Sequence, residues 1–401
     1  MARNWLSMIV RLAALTAVVG NVLAMMVGRF HAPANSPDPL SALAAPTPVA
    51  MTGLVVNPSF FRFQGDPSTP LYYDVNTSQF VRIPLASGEA LDAISFAPTA
   101  NADGQRMMIG RWRRWSGQGS EAVLADIGLA RVCYPTGKLV DNIATEILPV
   151  EPPCWSPPEL ATNLVMFAAG DGRVYRLQLS NQDPTDDGEQ GDSTPIGLGI
   201  DKSLTQTHGR LRLQDLHWCP LPGLERIVLA SVSVLSTDSD SDSGSSERFS
   251  YPRAWWFRLD SALSMLEDGG PLLPGQAAGL TGEPTQRHPK LAASPADEGG
   301  IRVVYLEKSP RESSWRLRTA PVTVAIGTDV PRILPQTRNV RTLADGCLSH
   351  SLGLSEDGCW VAAARNGPDR QPRIERFQIH AEGAAPGRES RERPARAVAA
   401  R

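Results

Sequence analysis

The chain has 401 residues, 42% hydrophobic and 20% charged, with a formal net charge of -3. That is ordinary globular composition, and it lacks the basic surplus that nucleic-acid binding requires. Of its 39 basic residues only Lys138, Lys202, Lys290 and Lys308 are lysines. The arginines are spread along the whole chain, so the excess reads as coding bias and not as one anion-binding face.

Residues 1–30 read as an export device. Arg3 and Arg11 precede an uncharged run from Leu12 to Gly28, and only Arg29 follows at once. The run is at the short end of what spans a bilayer, and the arginine asymmetry orients it with the rest of the chain outside the cytoplasm. An uncleaved signal anchor is expected, with a signal peptide removed near Ala32-Pro33-Ala34 as the competing reading. Residues 31–51 hold five prolines and little that could be buried. They form a tether between membrane and domain.

From residue 52 to residue 380 one grammar recurs. In PCWSPPELATNLVMFAAGDGRVYRLQL, Trp155-Ser156-Pro157 precedes an apolar run from Asn163 to Ala169. Gly170-Asp171-Gly172 then supplies turn chemistry, and Tyr175, Leu177 and Leu179 alternate with Val174, Arg176 and Gln178. This is a strand, a hairpin turn and a second strand with one face in a core. Related anchors stand at Phe96-Ala97-Pro98, Trp218-Cys219-Pro220, Ala293-Ser294-Pro295 and Leu354-Ser355-Glu356-Asp357-Gly358, at intervals of roughly 60 to 75 residues, the signature of a repeat array. The second hairpin strands VYRLQL, WFRLD, WRLR and IERFQI align at Arg176, Arg258, Arg316 and Arg376, each about 20 residues past its anchor except Arg258, about 38 past. The outlier contains the polar insertion 236–254, whose removal restores the spacing.

Short strands with turn residues at each junction and no sustained helical period after residue 30 make the chain all-β. Blades of a β-propeller satisfy the pattern, because each small sheet buries both faces against its neighbours. The units resemble the WD-like repeats of TolB-type periplasmic propellers. Trp155-Ser156-Pro157 and Leu354 to Gly358 carry the resemblance well. Trp218-Cys219-Pro220 and Ala293-Ser294-Pro295 lack the Asp-Gly that should follow. The resemblance implies fold and export more than activity. Five anchors plus the strands around Phe60 to Phe63, Leu71 to Val75 and Phe80 to Leu85 predict six blades of four-stranded antiparallel sheet. Gly53 to Val56 is expected to supply the outer strand of the last blade, and residues 381–401 form a disordered tail.

No GxSxG, GxxxxGK[ST], HExxH, CxxC or GxGxxG is present, so no catalytic signature and no cofactor is predicted. Asp238, Asp240 and Asp242 in DSDSDSGSSE have calcium-loop spacing, but Ser243 and Phe249 stand where an EF-hand needs Gly and Glu, so no metal site is expected. His208, His217, His288 and His350 have no partner at ligand or triad spacing and read as structural. The five cysteines read as small buried hydrophobes. In GRWRRWSG, alternation turns Trp112 inward and leaves Arg114 and Trp115 as candidates for exposure.

The expected function is that of a membrane-tethered, exported interaction module. It would grip a protein or cell-envelope component on the face carrying Arg114, Trp115 and the insertion with Asp238, Asp240 and Asp242. The alternative is a propeller enzyme, a lyase or metal-dependent hydrolase, with residues gathered near the axis from different blades. Three or more carboxylates and histidines clustered there would favour the enzyme.

Overall fold

The computed structural model describes residues 54–56 and most of 72–379. These lie in one compact unit, Pro48–Arg401. The anchor, the tether, the tail, Pro295 and the aspartates 238, 240 and 242 lie outside the described residues.

The fold is all-β. The first sheet is β1 (Leu54–Val56), β2 (Tyr72–Asp74) and β3 (Gln79–Val81), in that order. The second is the meander β4 (Glu89–Ala100), β5 (Arg106–Ser116), β6 (Val123–Tyr134) and β7 (Lys138–Ile143). The third is β8 (Cys154–Trp155), β9 (Leu164–Ala168), β10 (Val174–Gln178) and β11 (Ile196–Gly197).

The chain then forms β12 (Gly199–Ile200), a helix α1 (Lys202–His208), β13 (Leu211–Trp218), β14 (Ile227–Ser236), β15 (Arg248–Phe249), β16 (Arg253–Leu259) and β17 (Met265–Pro271). The fourth sheet runs β12-β17-β16-β14-β13, with β15 zipping the root of the insertion onto β14. The fifth contains β18 (Thr285–Ala293), β19 (Ile301–Lys308), β20 (Trp315–Ile326), β21 (Pro331–Leu334), β22 (Arg341–Leu354), β23 (Trp360–Asn366) and β24 (Pro372–Gln378). It is two meanders joined by β22, whose first half pairs with β20 and whose second half pairs with β23.

Five hydrogen-bonded sheets therefore stand among the described residues. Their pairing is antiparallel except between β12 and β17.

From the second sheet onward each sheet packs on the next through a shared apolar cluster. Ile109 and Leu129 of the second meet Val165 and Phe167 of the third. Met166 and Val174 meet Leu213, Trp218 and Phe257 of the fourth. Leu229 and Trp256 meet Leu291 and Tyr305 of the fifth. The two meanders of the fifth share Val304, Leu317, Leu352 and Val361. The last meander meets the first sheet through Ala362, Trp360, Val75 and Tyr73. Burial on both faces explains why β9 is apolar at all five positions.

Three of the five anchors have a common task. In these the second residue closes the ladder to the next strand: Ser156 N–H donates to Leu164 O, Cys219 to Ile227 O and Ser355 to Trp360 O, each at 2.9 Å. Gly172 (φ 79°) and Gly358 (φ 65°) then take the left-handed conformation that turns demand.

Several expectations are corrected. Leu54–Val56 does not complete the last sheet; it pairs with Tyr72–Asp74. The one helix among the described residues, α1, is seven residues long and leaves the all-β class intact; it is capped by the Asp201 carboxylate accepting from Ser203 N–H at 2.7 Å.

The four arginines do not share one register. Leu179, Leu259 and Ile379 make the equivalent closing hydrogen bond, to Asn163, Arg226 and Cys359. Counting back from them, Arg176 matches Arg376, whereas Arg258 matches Gln178. Arg316 lies opposite Glu307, near the hairpin end of β19. The strands repeat, but the side chains on them drift.

Candidate functional site

The first strand of three sheets breaks its ladder at one position. The register shifts between Asp92 and Ser95 in β4, Gln214 and His217 in β13, and Arg287 and Lys290 in β18. The residue just inside each break is left-handed: Ala93 (φ 47°), Asp215 (φ 52°) and His288 (φ 53°). In the third sheet Val150 N–H still donates to Ala168 O, and the ladder resumes with Cys154 opposite Met166. Glu151 therefore falls on the same stretch. A bulge bends its strand and re-aims a side chain. A left-handed non-glycine residue costs about 1–2 kcal/mol, so the groups these bulges direct are candidates for function.

In the fourth and fifth sheets the bulges bring charges together. Asp215 is fully buried. Its carboxylate accepts from Arg287 Nη2 at 2.8 Å and from Arg287 Nε, from Ser231 Oγ at 2.6 Å, and from His288 N–H at 3.1 Å. His288 Nδ1 lies 3.0 Å from Asp215 Oδ1. Glu151 joins from the third sheet, accepting from Arg287 Nη2 at 2.6 Å and from Asp215 N–H. Residues of three sheets thus meet in one network, in which the side chains of Glu151, Arg287 and His288 retain 19%, 22% and 11% of their exposure.

The environment drives the two carboxyls apart. Burial, then the neighbouring charge of Asp215, pushes Glu151 up to about 9, against the opposing pull of Arg287. Burial alone would raise Asp215, but His288 and the Arg287 fork hold it well below the usual range. Arg287 is raised in turn by the Asp215 carboxylate, which outweighs burial. The site therefore holds two carboxyls whose ionisation the surroundings push in opposite directions, Glu151 towards the protonated form and Asp215 towards the ionised one. Paired carboxyls separated in this way carry acid and base roles in many enzymes. The Asp215 contact engages Nδ1 of His288 and leaves Nε2 as the ring nitrogen that can exchange a proton with a bound molecule.

A second tier follows where the ladders resume. Cys154, His217 and Lys290 occupy equivalent positions in β8, β13 and β18. Burial pushes the Cys154 thiol up to about 12, which makes it a poor nucleophile. Burial lowers Lys290, and burial plus the Lys290 charge lowers His217 far below its ordinary value. Among the described residues no group of three or more His, Cys, Asp or Glu side chains is placed to hold a metal ion.

The residues singled out in the sequence fall elsewhere. Trp112 is buried as expected, but Trp115 is buried too, at 8% exposure, with the Arg113 guanidinium over its ring. GRWRRW is two alternating cation–π pairs, Arg114 over Trp112 at 5.6 Å and Arg113 over Trp115 at 5.5 Å. Arg114 stays exposed, with Asp126 at 3.5 Å. Trp155 is half-buried, its Nε1–H reaching Ser95 O at 3.4 Å, and Trp218 is buried, its Nε1–H donating to Glu225 O at 2.6 Å. Arg176 caps a turn of the fourth sheet at Ala262 O and Leu263 O. Arg258 pairs with Glu267, Arg316 with Glu312 and Asp345, and Arg376 stacks on Trp360 at 4.2 Å. Pro157 is buried and Pro220 exposed. None of the five cysteines is joined to another in a disulfide. No helix among the described residues is long and apolar enough to cross a membrane.

Glu151, Asp215 and Arg287 escaped sequence reasoning, and His288 was read as structural. One signal was there: Asp92, Glu151 and Gln214 each stand six residues before an anchor proline, a polar column in an otherwise apolar repeat.

The chain matches no protein-family model and no curated protein. Among solved structures, a puromycin-hydrolyzing peptidase of Mycobacterium tuberculosis aligns at 16% identity over 72% of this chain and 38% of its own, with a TM-score of 0.35. The chain thus spans little more than a third of that peptidase. An oligogalacturonate lyase in complex with manganese aligns at 11% identity over 78% and 68%, TM-score 0.38. An α-L-arabinanase of Penicillium chrysogenum complexed with arabinobiose aligns at 12% identity over 83% and 99%, TM-score 0.39.

Proposed function

We propose that the chain is an exported, membrane-tethered six-bladed β-propeller enzyme, a lyase or hydrolase acting on a cell-envelope component. The succession of meanders, with the last packed on the first, supports the propeller. Counting the two meanders of the fifth sheet separately gives six blades. Leu12 to Gly28 supports the tether, and the resemblance to TolB-type repeats supports export.

The observation that carries the activity is the Glu151–Arg287–Asp215–His288 network. Glu151 donates a proton to the leaving group. His288, oriented by Asp215, takes a proton from water or from the substrate, and Arg287 holds the charge that develops.

The test is to incubate the full-length protein with peptidoglycan fragments and envelope polysaccharides and to follow new products by mass spectrometry. Products gaining the mass of water report hydrolysis, and products with conserved total mass report elimination. Wild type should form them and Glu151→Gln should not, because the amide keeps the shape and loses the proton. No product from wild type, or equal product from Glu151→Gln, removes the proposal.

The second reading, an interaction module, draws on the junctions between second and third strands, where Arg114 and the rooted insertion stand. Deleting residues 237–247 would weaken partner capture on that reading and leave turnover unchanged on the first.

A further inference from the structure

A cavity of about 670 Å³ lies between the β9–β10 hairpin of the third sheet and the start of β13 in the fourth. That volume suits a small molecule. Its wall carries three arginines, Arg173, Arg210 and Arg212, against one acid, Asp171. Asp171 is engaged by its own hairpin, accepting from Tyr175 Oη at 2.6 Å and from Arg173 N–H at 3.0 Å.

Arg212 is packed against Gly172 and Phe249, and no hydrogen bond among the described residues engages its fork. Its side chain lies across Gly172, where an added Cβ would sit 3.3 Å from Cγ and 3.4 Å from Nε. Its guanidinium stands over the Phe249 ring, 5.9 Å from the centroid. Its Nε is buried without a hydrogen-bond partner. A buried donor left unpaired is costly, and a planar guanidinium fork is a ready receptor for carboxylate or phosphate. Phe249 is 40% exposed although large and apolar, and it lines the same space. A charge receptor and a partly exposed aromatic ring thus line the same space.

We infer that this cavity binds a small organic oxyanion, its carboxylate or phosphate on Arg212 and Arg210 and its planar or apolar body against Phe249. The site is separate from the Glu151 network and stands whether or not that network is catalytic.

The test is calorimetric titration of the full-length protein with phenyl phosphate, benzoate and inorganic phosphate. Phenyl phosphate or benzoate should bind saturably, more tightly than inorganic phosphate. Arg212→Met should weaken that binding at least tenfold, and Arg212→Lys nearly as much, since the ammonium lacks the fork. Phe249→Ala should reduce the aromatic anion to the level of inorganic phosphate. Arg210→Gln, an exposed change, should weaken binding with an unaltered melting temperature and so carries the test if Arg212→Met unfolds. No saturable binding of any probe, or affinities unchanged in both Arg210→Gln and Phe249→Ala, overturns the inference.

Discussion

The bulge in the second sheet and the bulges in the fourth and fifth are the same backbone device with different consequences. At Ala93 nothing is aimed, and the neighbouring Asp92 folds back onto its own sheet, paired with Arg111 at 2.7 Å and with Arg113. At Asp215 and His288 the same left-handed turn carries a carboxylate and an imidazole, and with Arg287 and Glu151 they bind three sheets together. The scaffold repeats, while the chemistry depends on which residue occupies the repeated position.

The comparison breaks most visibly at Asp215. Removing the buried carboxylate by Asp215→Ala leaves Arg287 facing Glu151 alone, and loss of one partner of a buried pair costs about 3–5 kcal/mol. Urea unfolding measures it, and a loss below about 1 kcal/mol would mean the network adds nothing to the fold. Trp218→Ala should cost a similar amount, about 3–5 kcal/mol, as a buried aromatic between the third and fourth sheets. Trp155→Ala should cost less, because that indole is half-buried.

Glu151 sharpens the comparison through pH. Its carboxyl is raised in the folded protein from an ordinary value of about 4.3 to about 9. Both states are protonated below the ordinary value. As pH climbs from there the unfolded carboxyl ionises first, so stability falls up to the folded value. Asp215, lowered by folding, contributes in the opposite sense, and its share is lost only as pH falls through the acid range. Melting temperatures between pH 5 and 9 should decline in wild type and decline less in Glu151→Gln; parallel slopes would contradict the raised carboxyl.

The smallest effect has the reverse sign. Ala93→Gly removes the left-handed penalty where no charge is aimed, and should stabilise by up to about 1 kcal/mol. His288→Gly removes the same penalty together with the Asp215 contact, and should destabilise.

The all-β class, the hairpin around Gly170-Asp171-Gly172 and the inward Trp112 were legible because periodicity and turn chemistry are local. The register of Arg258 and Arg316 was not, since an insertion or bulge anywhere in a unit shifts its count without leaving a mark in composition. Trp115 misled because alternation says which face a side chain takes and not what lies over it, and here Arg113 covers the indole. The site was hidden for a further reason. Glu151, Asp215 and Arg287 lie 64 and 72 residues apart in succession, and only the packing of successive sheets makes them neighbours.

The most direct measurement is the protonation state of Glu151 itself. Infrared difference spectra of wild type against Glu151→Gln, recorded from pH 5 to 10, isolate that carboxyl. A protonated carboxyl band present in wild type at pH 7, absent from Glu151→Gln and fading near pH 9, is the result expected of a proton donor. A carboxylate already ionised at pH 5 would contradict it.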